Sequence, residues 1–438
     1  MGMSRRQLWP RAGLWLLLLG PAFFLLYGAA NQYAASLPAS AVGNIAMSWE
    51  RHIPLWPWSI VPYWSIDLLY GVSLFLCCSR AELNIHALRL LLVTVLSCAC
   101  FVLLPLRFGV ARPPLDGAFG QLFDWLTGFD QPFNQAPSLH ISLLTVLWLR
   151  YWQHVPRAWH WLLHGWFVLI GLSVLTTWQH HFWDIPTGFA LAILVCYLLP
   201  MPLHDSVQPA SSEPGRAAQL AARYGVTGLL LLVLAMGGGW RWLLLWPALA
   251  CVVVAAGYRW LGPRVLQKEA GYLRFPARVT LWPYRLVAHA LHRFYQRRQP
   301  ACSMVLDDVW VGAVSAASHP RFVAVLDLAA EYDRHALPGV AYHSLPLLDL
   351  LLPGPVVLQQ AVSMLDAMRQ QPGPVLVHCA LGMTRSVAIV ASWLVISGRV
   401  ADIGQALSLL RLRCGAVMLT AAQQRLLTEM CAQRGQDA

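Results

Sequence analysis

The sequence predicts a chain in two parts, an α-helical multispan membrane domain of about eight spans followed by a C-terminal α/β domain. Three observations carry this. Hydrophobic residues make up 58% of the 438 positions and charged residues only 12%, where an ordinary soluble domain has about 25% charged. Apolar runs of about 20 residues, long enough to cross a bilayer, take up the first 260 positions. Charge then divides the chain: residues 301–438 hold nine Arg against ten Asp and Glu, whereas residues 1–300 hold 22 basic against 10 acidic residues. Nine of those basic residues lie between Arg259 and Pro300 beside a single acid, Glu269. The composition excludes a soluble globular protein. A basic stretch directly after apolar runs points to an anionic lipid surface rather than to nucleic acid.

The expected spans are 14–30, 59–78, 88–106, 138–155, 160–178, 183–202, 224–239 and 242–258. The first imitates a cleavable leader, with Arg5, Arg6 and Arg11 ahead of it and Ala34-Ala35-Ser36 behind. Its length, its aromatic residues and the spans that follow favour a retained helix. Lys268 is the only lysine, so orientation follows from Arg; with the N-terminus inside, the inner loops carry nine Arg and the outer loops four. An even span count returns the chain to the inner side. The expectation is a multi-pass protein of the cell inner membrane with a cytoplasmic C-terminal domain.

Residues 203–223, rich in Pro, Ser and Ala and without hydrophobic periodicity, read as a linker between the domain 1–202 and two further spans within 224–258. In the basic segment 259–300, Trp260, Phe275, Trp282, Tyr284, Phe294 and Tyr295 alternate with Arg. Such a segment lies on the inner leaflet, aromatic rings at headgroup depth and guanidinium groups toward lipid phosphate. Residues 301–438 form the soluble domain.

Ten cysteines do not make a disulfide framework, because Cys77, Cys78, Cys98, Cys100, Cys196 and Cys251 lie in apolar runs, where Cys serves as a small hydrophobe. No spacing among the remaining four resembles a zinc site. One of them has telling neighbours. Residues 375–386 read VLVHCALGMTRS, an apolar strand, a tight loop and the start of a helix, with Cys379 and Arg385 separated by five residues. A phosphate monoester needs a nucleophile in line with phosphorus and donors around its oxygens. Loop amides and a helix N-terminus supply the donors and favour the thiolate. Gly382 permits the curl of the loop, and Arg385 can grip two oxygens as a fork, which Lys could not.

The segment resembles the dual-specificity branch of the cysteine-based protein tyrosine phosphatases, whose signature His-Cys-x5-Arg-Ser/Thr is matched by His378, Cys379, Arg385 and Ser386. The similarity spans roughly 303–436 and includes the strand and turn around Leu306 to Gly312, the strand Val323 to Leu328 followed by Glu331, and an amphipathic helix Val356 to Arg369. The resemblance implies an α/β cysteine-phosphatase fold. It also implies that Cys379 attacks to give a thiophosphate, that Asp349, thirty residues upstream, protonates the leaving oxygen, and that Arg385 holds the equatorial oxygens. Ser386 then stabilises the departing thiolate, and Gly382 and His378 belong to the phosphate-binding signature.

In the first 202 residues three polar islands interrupt the apolar runs: Arg107 to Pro113, Ala136 to His140, and Gln179 to Asp184. Pro137-Ser138 is a helix-start signal that puts His140 in a first turn. His180 and Asp184 are four apart on one helical face, so the carboxylate can hold one imidazole nitrogen and turn the other outward as a nucleophile. The spacing leaves His181 outside that pair. Ionisable groups gathered at one membrane border mark function.

The set resembles the type 2 phosphatidic acid phosphatase superfamily over roughly 55–202, six-span lipid phosphatases and phosphotransferases, and leans toward the inositolphosphoryl- and phosphocholine-ceramide synthase branch. The resemblance implies a phosphohistidine on His180, oriented by Asp184, with His140 protonating the leaving alcohol, Arg112 and Ser138 binding phosphate, and Arg107 assisting. Pro105 and Ser173-Val174 stand where the phosphatase pattern has a Lys and a Ser-Arg pair. A site short of two cations suits a singly charged phosphodiester, which favours headgroup transfer over phosphatidate hydrolysis. Neither half is expected to need a metal or cofactor. The expected substrates are membrane lipids, namely phosphorylated lipid headgroups, or phosphoproteins. Two alternatives stand beside this bifunctional reading: a membrane-tethered protein phosphatase whose helices only anchor or sense, and a sensor that recruits phosphoproteins.

Overall fold

The computed structural model describes residues 5–202, 211–297 and 300–437, without the side chains of Arg5, Phe129 and residues 433–437. The chain divides into two compact units, Met1–Pro202 and Leu203–Ala438.

The first unit is helical: α1 (Arg5–Ser36), α2 (Ile60–Phe75), α3 (Arg80–Leu103), α4 (Gly117–Phe129), α5 (Leu139–His154), α6 (His160–Thr176) and α7 (Asp184–Leu198). Helix α5 is buried around most of its circumference, including Ile141, Leu144, Leu147 and Tyr151, so it is the centre of the bundle. By contrast α1 exposes Leu14, Leu17 and Leu25 by two thirds or more, the apolar exterior of a helix that faces lipid. Gly188 of α7 explains how closely α5 and α7 approach, since a Cβ there would lie 2.6 Å from the Ser138 carbonyl oxygen.

The second unit opens with α8 (Pro214–Ala235) and α9 (Leu245–Ala256), then a two-stranded hairpin of β1 (Lys268–Glu269) and β2 (Tyr272–Leu273), α10 (Phe275–Thr280) and α11 (Trp282–Gln296). There follow β3 (Cys302–Leu306), β4 (Val309–Ala313), β5 (Ala324–Ala329), β6 (Ala341–Leu347), α12 (Pro355–Met368), β7 (Val375–Cys379), α13 (Arg385–Ile396), α14 (Ile403–Cys414) and α15 (Ala421–Asp437). The sheet runs β3-β4-β7-β5-β6, with β3 antiparallel to β4 and the other pairings parallel. Strand β7 is buried along its whole length, as a central strand covered on both faces must be. The helix expected over 356–369 is α12.

Helices stand at all eight expected span positions, but only five are long and apolar enough to cross a membrane among the described residues. Helices α2, α5 and α7 have 15 or 16 residues, about 24 Å of rise against about 30 Å of hydrocarbon. The linker expected over 203–223 is shorter than that. Residues 203–210 lie outside the described residues, and α8 begins at Pro214, where a proline at the first helical turn starts a helix instead of breaking one.

The basic segment also differs from an unpaired cationic strip. Lys268 is buried with its Nζ 2.6 Å from Asp327 Oδ2 and 2.5 Å from the Ala329 carbonyl. Arg278 and Arg285 pair with Asp333 at 3.2 and 2.8 Å, and Arg274 with Glu269 at 2.8 Å. Helix α11 keeps an exposed apolar set, Trp282, Leu286, Leu291, Phe294 and Tyr295.

Candidate active sites

In the first unit, the chain between α6 and α7 delivers the histidines. Asp184, fully buried at the start of α7, accepts from three groups: its Oδ2 lies 3.1 Å from His180 Nδ1 and takes the His181 N–H at 3.0 Å, while Oδ1 takes the Ala136 N–H at 2.9 Å. A carboxylate at Nδ1 keeps the proton there and leaves the lone pair of Nε2 facing outward. Ser138 Oγ sits 3.1 Å from that Nε2 and also caps α5 by accepting the Ile141 N–H at 3.2 Å. Thus Ser138, His180 and Asp184 form one hydrogen-bonded row.

The other expected residues have partners outside this row. His140 stacks on Tyr63, centroids 4.1 Å apart, and its buried Nε2 has no hydrogen-bond partner among the described residues. Arg112 donates from Nε to the Thr177 carbonyl at 3.2 Å and lies 4.3 Å over the Phe123 ring. The Arg107 side chain is exposed, and its backbone N–H donates to the Gly43 carbonyl at 2.9 Å.

His181 has its own partner. Its Nδ1 is 2.6 Å from Glu50 Oε2, its Nε2 receives the Gly109 N–H at 3.4 Å, and its ring stacks on Phe108 at 4.5 Å. It therefore ties the loop that carries Arg112 to the turn that carries His180. Glu50 was not singled out in the sequence, nor was the buried group in which the Tyr27 hydroxyl and Asn134 amide both donate to Asp130.

In the second unit, β7 ends at Cys379 and α13 begins at Arg385. The thiol Sγ receives the Gly382 N–H at 3.3 Å and lies 3.4 Å from Ser386 Oγ. Gly382 has a φ of +78°, and a Cβ there would sit 2.7 Å from the Gly312 backbone, so glycine is required on both counts. Arg385 is fully buried. Glu331, just beyond β5, receives both of its terminal nitrogens at 2.9 and 2.6 Å; the Leu347 carbonyl accepts at 2.9 Å and Asp349 Oδ1 lies 3.1 Å away.

Burial alone would push the Arg385 pKa down, but Asp349 and Glu331 outweigh it and hold the guanidinium charged. Burial likewise acts to raise the Glu331 carboxyl, and Arg385 more than offsets it, so Glu331 lies below the usual carboxylate range. Asp349 keeps 39% of its side chain exposed, the position of a group that meets both water and Arg385.

The structure places His378 in the interior. It is buried, its Nδ1 lies 3.3 Å from the Cys379 carbonyl, and its Nε2 faces Asp327 at 3.7 Å. Burial pushes this imidazole below its ordinary pKa despite Asp327. Behind it, Asp327 is held low, because His378 and Lys268 overcome its burial. The phosphate loop thus stands on a buried Lys268–Asp327–His378 row.

Among the described residues one group brings three metal-type ligands together, Cys78, Glu82 and His154. Glu82 there is paired with His154 at 2.7 Å and with Arg150.

A thiol beside a loop amide and a hydroxyl, at the N-terminus of a helix that opens with a buried arginine, has the arrangement of an anion-binding nucleophile. A histidine held by a carboxylate has the arrangement that can serve as a second nucleophile, on a different scaffold. Known families match the segments that carry both. Residues 315–433 match the family of the dual specificity phosphatase, catalytic domain, and residues 57–205 match the PAP2 superfamily. No curated protein matches. Similar solved structures include PTPMT1 in complex with PI(5)P, 16% identical over 32% of this chain and 100% of that chain, TM-score 0.29. Human DUSP28 is 19% identical over 31% of this chain and 96% of that chain, TM-score 0.26. Tk-PTP in the active form is 21% identical over 31% and 98%, TM-score 0.27. The chain is a phosphatase that carries a PAP2 superfamily domain over 57–205 and a dual-specificity phosphatase domain over 315–433.

Proposed function

We propose that the chain is a bifunctional membrane phosphatase with two independent nucleophiles. The cytoplasmic site is a phosphomonoesterase: Cys379 attacks phosphorus, Arg385 grips two equatorial oxygens, Asp349 gives its proton to the leaving oxygen, and water then releases phosphate from sulfur. The observation that carries this is the convergence of the Gly382 amide and Ser386 Oγ on Cys379 Sγ at the end of β7, with Arg385 opening the helix that follows. At the outward-facing membrane site His180 attacks a phosphate ester, Asp184 holds Nδ1–H, His140 protonates the departing alcohol, and Arg112 with Ser138 binds the phosphate oxygens. A phosphodiester is its substrate and transfer of a phospho-headgroup its reaction, because the site lacks two expected cations.

The two activities are separable. Cys379→Ser in the full chain should abolish hydrolysis of p-nitrophenyl phosphate in the presence of chelator, and His180→Ala should abolish lipid headgroup release or transfer, each leaving the other unchanged. Loss of both activities in either variant would refute independent sites.

For the cytoplasmic site a singly phosphorylated lipid headgroup is favoured over a phosphoprotein. The phosphate loop contributes Ala380, Leu381, Met383 and Thr384 and no cation besides Arg385. A cavity of about 240 Å³ is lined by Ala217, Ala218, Trp260 and Arg259 among others, and by Leu348 and Leu351, which flank Asp349 in sequence, and it suits an apolar chain beside an anionic headgroup. Turnover of a phosphomonoester lipid in vesicles should exceed that of phosphotyrosine and phosphoserine peptides; peptide rates tenfold ahead would leave a tethered protein phosphatase.

A further inference from the structure

Several backbone polar groups of the loop that carries Asp349 are bonded by chain that lies outside the matched phosphatase segment 315–433. Tyr258, just beyond α9, donates its hydroxyl to the Asp349 carbonyl at 3.1 Å. Arg216, in the first turn of α8, donates from Nε to the Leu350 carbonyl at 2.8 Å. Glu213 Oε2 accepts the Leu352 N–H at 2.7 Å and the Gln423 amide at 3.0 Å. Ser212 Oγ donates to the Pro353 carbonyl at 2.8 Å. Four of the five residues 349–353 are thus held by the segment 212–216 or by Tyr258.

The loop needs such a strap. Leu350 has a φ of +62°, a conformation that costs a leucine free energy unless its surroundings impose it. Asp349 is also drawn toward Arg385 at 3.1 Å, where it would compete with phosphate for the guanidinium. A carboxyl that must point at a leaving oxygen has to be kept at a defined height above the thiol, and loop backbone with free amides and carbonyls would wander.

We propose that Glu213 and Tyr258 are positioning residues for the proton transfer of the cytoplasmic site, so that the α8–α9 pair is a working part of the phosphatase as well as an anchor. The proposal rests on Asp349 being the general acid. Proton donation matters only where the leaving group is basic: an alkoxide must be protonated as it departs, whereas p-nitrophenolate leaves unaided. A misplaced acid therefore shows as selective loss on alkyl phosphates.

The test uses the full chain in detergent, with Glu213→Ala, Glu213→Gln, Tyr258→Phe and Asp349→Asn compared on p-nitrophenyl phosphate and on a short alkyl phosphomonoester. Glu213→Ala and Tyr258→Phe should lower kcat on the alkyl ester tenfold or more and on the aryl ester less than threefold. Both should also flatten the alkaline limb of the alkyl kcat profile. Glu213→Gln, which still offers an oxygen to the Leu352 N–H, should recover to within threefold. Adding Glu213→Ala to Asp349→Asn should cost nothing further on the alkyl ester, since the two act through one proton. Equal loss on both esters, or additive loss in the double variant, would reduce Glu213 to a merely structural residue and overturn the proposal. If Asp349→Asn itself shows no leaving-group selectivity, the general-acid assignment falls instead.

Discussion

Ser138 Oγ lies 3.1 Å from His180 Nε2, the nitrogen that faces away from Asp184. The lone pair that would attack phosphorus is therefore engaged at rest by the same hydroxyl that caps α5. For attack this bond has to give way, and the freed hydroxyl can then donate to a phosphate oxygen. Ser138→Ala should lower kcat/KM at the membrane site about tenfold, together with a stability loss of about 1 kcal/mol from the missing cap. Ser138→Thr, which keeps both roles, should recover most of each. Kinetics and thermal unfolding of the three proteins check this.

Asp184→Asn is expected to be more damaging to rate than to fold. The carboxylate accepts from His180, His181 and Ala136 at once, and an amide nitrogen must oppose one of those donors. The imidazole loses its fixed tautomer, so headgroup transfer should fall by roughly a hundredfold or more. An Asn variant within threefold of the parent would remove Asp184 from the mechanism.

His180 and His181 should separate by the intermediate rather than by activity alone. His181 is bound to Glu50 and braces the Phe108–Gly109 loop, so His181→Ala should weaken substrate binding and stability yet still form acid-labile phosphohistidine on rapid quenching. His180→Ala should form none. The reverse result would move the nucleophile by one residue.

Acid should destabilise the second unit in two stages. The carboxyls of Glu331 and Asp327 are held below their ordinary range, so the stability they contribute is present above the unfolded value and lost as pH falls through the folded one. His378 is likewise held below 6.5; it stays neutral when folded and takes a proton when unfolded, so its contribution also declines as pH drops below about 6.5. Tm should be flat from about pH 8 to 6.5 and fall steadily beneath it. Glu331→Gln should lower stability at neutral pH by about 2 kcal/mol and shallow the acid slope. A Tm that rises on acidification would contradict both signs.

Much of the cysteine site was legible because its parts are local. An apolar strand, a five-residue loop and a helix put Cys379, Gly382, Arg385 and Ser386 together whatever the rest of the chain does. Glu331 was noted in the sequence without a role, since only the placing of β5 beside β7 brings it to Arg385 across 54 residues. Glu50 reaches His181 across 131 residues, and no periodicity reports such a pairing. Pro214 misled in another way: its ring ends helices in mid-run but starts them at the first turn, and hydrophobicity does not separate the two cases. The basic segment was read from its charges and aromatic rings, which count Lys268 and Arg285 but not the Asp327 and Asp333 that receive them.

Lys268 carries the only side-chain primary amine in the chain, and the fold encloses it against Asp327 and Ala329. Reagents that acylate amines, and enzymes that modify lysine, accordingly find no side-chain target on the folded protein. Acylation of Lys268 can proceed only while the β1–β2 hairpin is lifted from the sheet. The rate of that single covalent event, followed by mass, is a direct clock for how often the membrane-proximal segment lets go of the strand beneath the phosphate loop.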